Sequence, residues 1–163
     1  MSNIQYAFIE RNRVPDRSEL QASIDALGFD LKLHPEYTPF VDSGFLPFFL
    51  NGEDGPGFEI YYEVARDVIG ENRAFQEIAA GRDYCISMAW HGRMNDLACV
   101  LIVSCALIKD FDAVVSYEGE PPESLEKLLA EIPGVLADAK SQEAKAANRS
   151  IGTPLKKPWW KFW

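Results

Sequence analysis

Histidine and cysteine are scarce. The chain holds two histidines and three cysteines in 163 residues. His34 and His91 stand far apart, with no HxxxH or HExxH spacing, so the side chains that most often bind zinc are not grouped. A site mixing histidine with carboxylates stays open. Cys85, Cys99 and Cys105 form no CxxC pair and are odd in number. All three fall in apolar segments, which suits buried, reduced thiols and a reducing compartment. Long hydrophobic runs are missing too. The longest, LACVLIVSCALI from Leu97 to Ile108, has twelve residues, whereas a membrane-spanning helix needs about twenty. The start, MSNIQYAFIERNR, lacks a basic stretch followed by an apolar run. We therefore expect no signal peptide and a cytoplasmic protein, in which the sequon Asn148-Arg149-Ser150 is a chance match. No internal repeat is long enough to matter.

Positive charge is the remaining shortage. Lys and Arg number 16 against 25 Asp and Glu, for a net charge of −9. Residues 140–163 carry six bases (Lys140, Lys145, Arg149, Lys156, Lys157 and Lys161) and one acid, Glu143, for +5. That leaves ten bases and 24 acids, or −14, in residues 1–139. An acidic body opposes binding to nucleic acid and attraction to anionic lipid, since both need clustered Lys and Arg. It suits a basic protein partner. We read residues 1–139 as a single domain and residues 140–163 as a basic, aromatic C-terminal tail.

What is present is ordinary globular material, 47% hydrophobic and 25% charged. Residues 4–10 read as a strand. Asp16, with Glu19 three residues on, begins a helix whose Leu20, Ile24 and Leu27 share a face, and Gly28 stops it. FDLKLH (Phe29–His34) alternates as a half-buried strand. FLPFFL (Phe45–Leu50) is a short apolar strand, and Pro47 assigns it an edge or irregular position. NGEDGPG (Asn51–Gly57) has hairpin-loop composition. FEIYYEV (Phe58–Val64) alternates Phe58, Ile60, Tyr62 and Val64 against Glu59, Tyr61 and Glu63. Residues 66–80 are weakly helical, with Phe75, Ile78 and Ala79 as apolar contacts. DYCISMAW (Asp83–Trp90) is a strand with Tyr84, Ile86, Met88 and Trp90 on one face. Leu97–Ile108, capped by Asn95 or Asp96, is apolar all round and reads as a central helix across a sheet. AVVSYEG (Ala113–Gly119) is the last strand. A closing helix starts at Ser124, is broken or kinked at Pro133-Gly134, and resumes over Ala137–Ser150. The β-α-β-β-β-α-β-α order predicts an α+β fold: a mixed or antiparallel sheet with helices on one face, related to ferredoxin-like folds.

No catalytic residues, cofactor or metal emerge. The glycines of GEDGPG precede a strand rather than open a helix, and Glu53 and Asp54 repel phosphate, so a turn is favoured over a phosphate loop. WHGRMND (Trp90–Asp96) sets an imidazole, a guanidinium and a carboxylate between a strand end and a helix start. A solvated His91 and Arg93 beside a turn at Gly92 is the simplest account, and contact with a ligand or partner comes ahead of catalysis. The acids Glu53, Asp54, Glu59, Glu63, Asp110, Asp112, Glu118, Glu120 and Glu123 read as solvated surface or, if functional, as an electrostatic landing surface. Of these, Glu53, Asp54, Glu59, Asp112, Glu118 and Glu120 form, with His91 and Arg93, the expected partner-binding set.

The run SGFLPFFLNGEDGPGFEIYY, a strand ending in Trp90-His91-Gly92, an apolar helix and AVVSYEG resemble small bacterial proteins of the immunity-protein type. Proteins of that type neutralise toxins of contact-dependent or type VI secretion systems. The resemblance spans Ser43–Gly119, and its motif residues (Gly44, Gly57, Phe58, Glu59 and Gly92) serve turns and core. It implies a non-enzymatic acidic protein whose partner is a cognate toxin. Two other readings stand beside it: a small-molecule or enzymatic α+β domain using Trp90–Asp96, and a membrane-peripheral adaptor using the tail.

That tail ends in KKPWWKFW. Its aromatics, Trp159, Trp160, Phe162 and Trp163, have three expected uses: docking on the protein itself or on a twin subunit, partner contact, or membrane contact. Docking leads, because the stretch is short, Pro158 disfavours an amphipathic helix starting before it, and the +5 tail is attracted to the −14 body.

Overall fold

A computed structural model describes residues 3–38 and 41–152, with side chains as far as Arg149. The aromatic tail, and with it the expected homodimer contact through Trp159, Trp160, Phe162 and Trp163, lies outside the described residues. Six strands form one antiparallel sheet: β1 (Asn3–Ile9), β2 (Leu31–Leu33), β3 (Gly44–Leu50), β4 (Glu53–Val64), β5 (Tyr84–Trp90) and β6 (Val114–Tyr117). Their order is β2-β3-β4-β5-β1-β6. Helices α1 (Arg17–Ala26), α2 (Ala65–Ile69), α3 (Arg73–Ala79), α4 (Met94–Phe111) and α5 (Leu125–Gly152) complete the α+β fold, in the order β-α-β-β-β-α-α-β-α-β-α, one strand and two helices more than the expected β-α-β-β-β-α-β-α. Strands β5 and β6 both run antiparallel to β1, which lies between them, and α4 joins them. This split strand–helix–strand unit is the element shared with ferredoxin-like folds.

The sheet has two unequal covers. Ala7, Ile9, Ile60, Ile86, Met88 and Trp90 point into a core shared with α1, α4 and α5. Tyr6, Phe8 and Cys85 point the other way, against Phe75, Ile78 and Ala79 of α3 and Ala65 of α2. Helices on one face thus describes α1, α4 and α5. The two helices formed from the weakly helical segment make a second, smaller cover over one part of the opposite face.

Helix α4 is buried on nearly every side, because the sheet, α1 and α5 all pack on it. Its buried Ser104 accepts from Gln5 Nε2 at 3.4 Å. Among the described residues no helix is long and apolar enough to cross a membrane. Helix α1 carries the capping box that Asp16 and Glu19 predict, with both reciprocal bonds present. Ser124 Oγ accepts from Lys127 N at 3.2 Å at the start of α5.

Several boundaries differ from expectation. The strand expected over Phe29–His34 is only Leu31–Leu33, paired with Phe48–Leu50 of β3. Pro47 therefore sits where β3 has a partner on β4 alone, which is how a residue without an N–H is tolerated. The loop expected over Asn51–Gly57 shrinks to Asn51-Gly52. Both residues have positive φ, 52° and 80°, as a two-residue type I′ hairpin requires. β4 then starts at Glu53, and its register against β3 shifts by one between Pro47 and Phe49, at a bulge around Gly55. Helix α5 runs unbroken through Pro133 and Gly134. Pro133 is exposed, so the carbonyl it leaves without a donor can reach water. Ile132, Val135 and Leu136, which belong to the core side of the helix, carry it through. The division expected after residue 139 falls inside this helix, so the change from acidic to basic composition occurs along one continuous rod.

Candidate functional site

The Trp90–Asp96 segment lies where β5 stops and the β3–β4 hairpin continues past it. The last β4–β5 pair is Glu59 with Ala89, so Gly57 N–H has no strand to donate to. Asp96 fills that place. Its buried Oδ1 accepts from Gly57 N at 3.0 Å, while Oδ2 faces Arg93 Nε at 4.0 Å. Neither Asp96 nor Asn95 caps α4, contrary to expectation. The N-cap is Arg93, without a side-chain cap. Met94 N–H donates instead to Gln142 Oε1 of α5 at 2.9 Å, and Asn95 Nδ2 donates to Glu143 Oε1 at 2.6 Å. The helix start is thus satisfied from α5, a long-range partner that local sequence does not show. Gln142, Lys145, Ala146 and Arg149 of α5 line a groove of about 450 Å³ with Gly92 and Arg93.

His91 is exposed, and its Nε2 lies 3.6 Å from Glu59 Oε1, an ion pair when the imidazole is protonated. Tyr61 donates its hydroxyl to Glu59 Oε2 at 3.3 Å. The Glu59 charge pushes the Tyr61 phenol above its ordinary pKa. Glu59 thereby links the loop to the outer face of the sheet, the face turned away from α4.

On this face α2 and α3 pack against β1, β5 and β6, and α2 also meets β4, from whose end it continues, while Phe45 and Tyr61 stay exposed. Cross-strand pairs bring together Phe45 and Glu59, Pro47 and Gly57, and Phe49 with Asp54 and Lys32. Phe45 is 61% exposed and Tyr61 40%. His34 stacks on Phe49 at 6.4 Å between ring centroids, and its Nδ1 accepts from Glu36 N. Glu63 continues the same row of β4. The outcome is a strip of aromatic rings bordered by Asp54, Glu59 and Glu63.

Of the residues expected to bind a partner, the structure brings Asp54, Glu59 and His91 to this strip and Arg93 to its margin. Glu53 sits at the hairpin end, lining a small cavity of about 80 Å³ with Asn95, Lys140 and Glu143. Asp112 is at the far end of α4. It takes a left-handed conformation at the C-cap, φ 55°, and pairs with Arg82 at 3.3 Å. Glu118 and Glu120 shape the turn after β6: Glu118 exchanges bonds with the Ile4 backbone, and the Glu120 carbonyl accepts from Ser116 Oγ at 2.6 Å. These three acids do local structural work away from the strip. Phe45, Phe49 and Tyr61 were absent from the expected set, as was Glu63, although it stands among the acids read as a landing surface. Alternation places Glu63 outward, but no sequence signal shows that Phe45 and Tyr61 stay exposed there.

Among the described residues no group of three or more His, Cys, Asp or Glu side chains is placed to hold a metal ion. The three thiols are buried and reduced. Burial pushes Cys85 up to about 12 and Cys105 up to about 11, and raises Cys99 as well. A thiol attacks as its thiolate, so native protein at neutral pH will resist iodoacetamide at all three positions. Intact mass will show no adduct in buffer and three in denaturant. A native adduct would place a cysteine at the surface.

The chain matches no protein-family model, no curated protein and no solved structure, so the functional reading rests on the outer-face strip and its charges.

Proposed function

We propose that this is a binding protein that docks a basic protein surface on the outer face of its sheet, and that it serves as an immunity protein neutralising a cognate bacterial toxin. The observation that carries the reading is the juxtaposition of exposed Phe45 and Tyr61 with Asp54, Glu59 and Glu63 on the outer sheet face. Aromatic rings provide the desolvated anchors that dominate protein interfaces. Flanking carboxylates steer a basic partner and fix its register. A stable interface needs about 800 Å² on each side. The His91–Arg93 loop and the hairpin end adjoin the strip and extend it. The −14 of residues 1–139 favours a partner with a basic cleft.

The test is co-expression with the product of the neighbouring gene, followed by pull-down and growth rescue. Phe45→Ala should weaken the complex by about 2 kcal/mol or more, about 30-fold, mainly through faster dissociation. Glu59→Lys with Glu63→Lys should slow association and flatten its salt dependence. No complex and no rescue would sink the reading. A complex insensitive to all three substitutions would move the interface elsewhere.

A further inference from the structure

Helix α5 is tied to the start of α4 by two side chains. Gln142 bridges the two elements: its Oε1 accepts from Met94 N at 2.9 Å, and its Nε2 reaches Gly92 O at 3.5 Å. Glu143 Oε1 accepts from Asn95 Nδ2 at 2.6 Å. These bonds fix the walls of the groove between Gly92-Arg93 and α5, whose volume of about 450 Å³ is that of a small-molecule site. Three cations line it. Arg93 comes from the Trp90–Asp96 turn, and Lys145 and Arg149 stand one helical turn apart on α5. Gly92 and Ala146 lie among them, and nothing approaches within 4 Å of a Cβ added at Gly92, so the space between the cations is open. Among the described residues no acidic side chain lines the groove. The neighbouring acids are engaged: Glu59 faces His91, Glu143 holds Asn95, and Asp96 Oδ1 accepts from Gly57 N. Asp96 Oδ2 lies 4.0 Å from Arg93 Nε and steadies a guanidinium whose side chain is 63% exposed.

We propose that this groove is an oligophosphate site, in which Arg93, Lys145 and Arg149 hold a ligand bearing two or more phosphates, such as a nucleoside triphosphate or pyrophosphate. Such a cluster runs against the chain's net charge of −9. At physiological salt the Debye length is about 8 Å, so the side chains lining the groove set its field, and the net charge does not. Guanidinium forks match phosphate oxygens in pairs, and an ammonium adds a point charge. A phosphate monoester carries only about −1.5 to −2 near neutrality, so one phosphate leaves part of the cluster unneutralised and a second completes it. The fixed walls reduce the ordering cost of binding. The site uses none of the acids of the outer face and stands apart from the docking reading.

The test titrates the full chain with ATP, pyrophosphate and adenosine, followed by calorimetry and by amide resonances. ATP and pyrophosphate should both bind and shift Gly92, Arg93, Lys145 and Ala146, and adenosine should shift none of them. Lys145→Glu with Arg149→Glu should weaken both ligands about 100-fold or more, since each lost charge-assisted contact is worth about tenfold. Both residues are exposed on α5, and circular dichroism checks folding. Arg93→Gln, at an N-cap without a side-chain bond, is an independent variant and should weaken binding about tenfold. Arg73→Gln on α3 is the control and should leave it unchanged. Raising ionic strength should weaken binding several-fold. No shift at Gly92 and α5 with millimolar pyrophosphate and ATP overturns the proposal, as does binding that survives the double reversal. Binding of ATP and adenosine without pyrophosphate would place recognition on the base, and binding of a single-stranded oligonucleotide alone would make the groove a nucleic-acid surface. Either result overturns the oligophosphate assignment.

Discussion

An Ile102→Ala protein will lose about 2–5 kcal/mol of stability, the cost of deleting a buried aliphatic side chain and leaving a cavity. Ile102 is 0% exposed in the middle of α4, a helix that packs against the sheet, α1 and α5. This packing restricts collapse into the void, which places the loss toward the upper end of that range. For a domain of this size the melting temperature should fall by about 4–20 °C. Since small domains are stable by only about 5–15 kcal/mol, part of the population will unfold at growth temperature. Thermal and urea melts followed by circular dichroism make the measurement. Glu126→Ala on the exposed side of α5 is the control, expected within about 0.5 kcal/mol of the parent. A loss at Ile102 no larger than the control would mean that α4 is not the centre of the core.

Gly57→Ala is the second large effect, and it links stability to the site. A Cβ built on Gly57 would lie 2.3 Å from the Leu46 carbonyl oxygen and 3.0 Å from both the Phe45 ring and Pro47 Cα. The first of these is backbone, so relief requires β3 and β4 to separate. Overpacking of this kind costs about 1–3 kcal/mol, sometimes more. The φ of Gly57 is not in the left-handed region, so the cost is purely steric. At Gly55 the reverse holds: φ is +119° and nothing lies within 4 Å of an added Cβ, so Gly55→Ala strains the backbone without touching a neighbour. Both proteins should melt early. Gly57→Ala should also shift Phe45 and weaken partner capture more than its stability loss explains, whereas Gly55→Ala should not. Equal capture by the two would detach Phe45 from binding.

Much of the fold follows from local chemistry. Asp16 and Glu19 announce α1, since a capping box is closed by residues three apart. Alternation in Phe58–Val64 tells the inward row from the outward one, and Glu59, Tyr61 and Glu63 do face outward. The all-round apolar Leu97–Ile108 has no polar stripe to give to water and so becomes the helix covered on both sides. Asn51-Gly52 is a strong two-residue hairpin signal, yet the acids and glycines after it read as more loop. There the register of β3 decided: Leu50 with Glu53, Phe49 with Asp54 and Pro47 with Gly57 hold the segment in a strand on either side of the bulge at Gly55, and not its own propensity.

The site was less legible. Asp54, Glu59 and His91 stand out as polar groups near turns, and the structure gathers them. Asp112, Glu118 and Glu120 look the same in sequence, but they are tied to Arg82, Ile4 and the turn after β6. Asp96 reads as a helix cap, and it serves as the missing strand partner of Gly57.

By itself the sequence determined the α+β composition, an acidic body joined to a basic end, and which residues of each strand share a face, because these depend on residue type and on spacings of two or three to four. The tertiary structure decided that α5 caps the start of α4 with Gln142, that α2 and α3 shield only part of the outer face, and that Phe45 and Tyr61 are left bare beside Glu59. Each of these depends on which elements meet across long stretches of chain, and local pattern carries no record of a neighbour that arrives, or fails to arrive, from a hundred residues away.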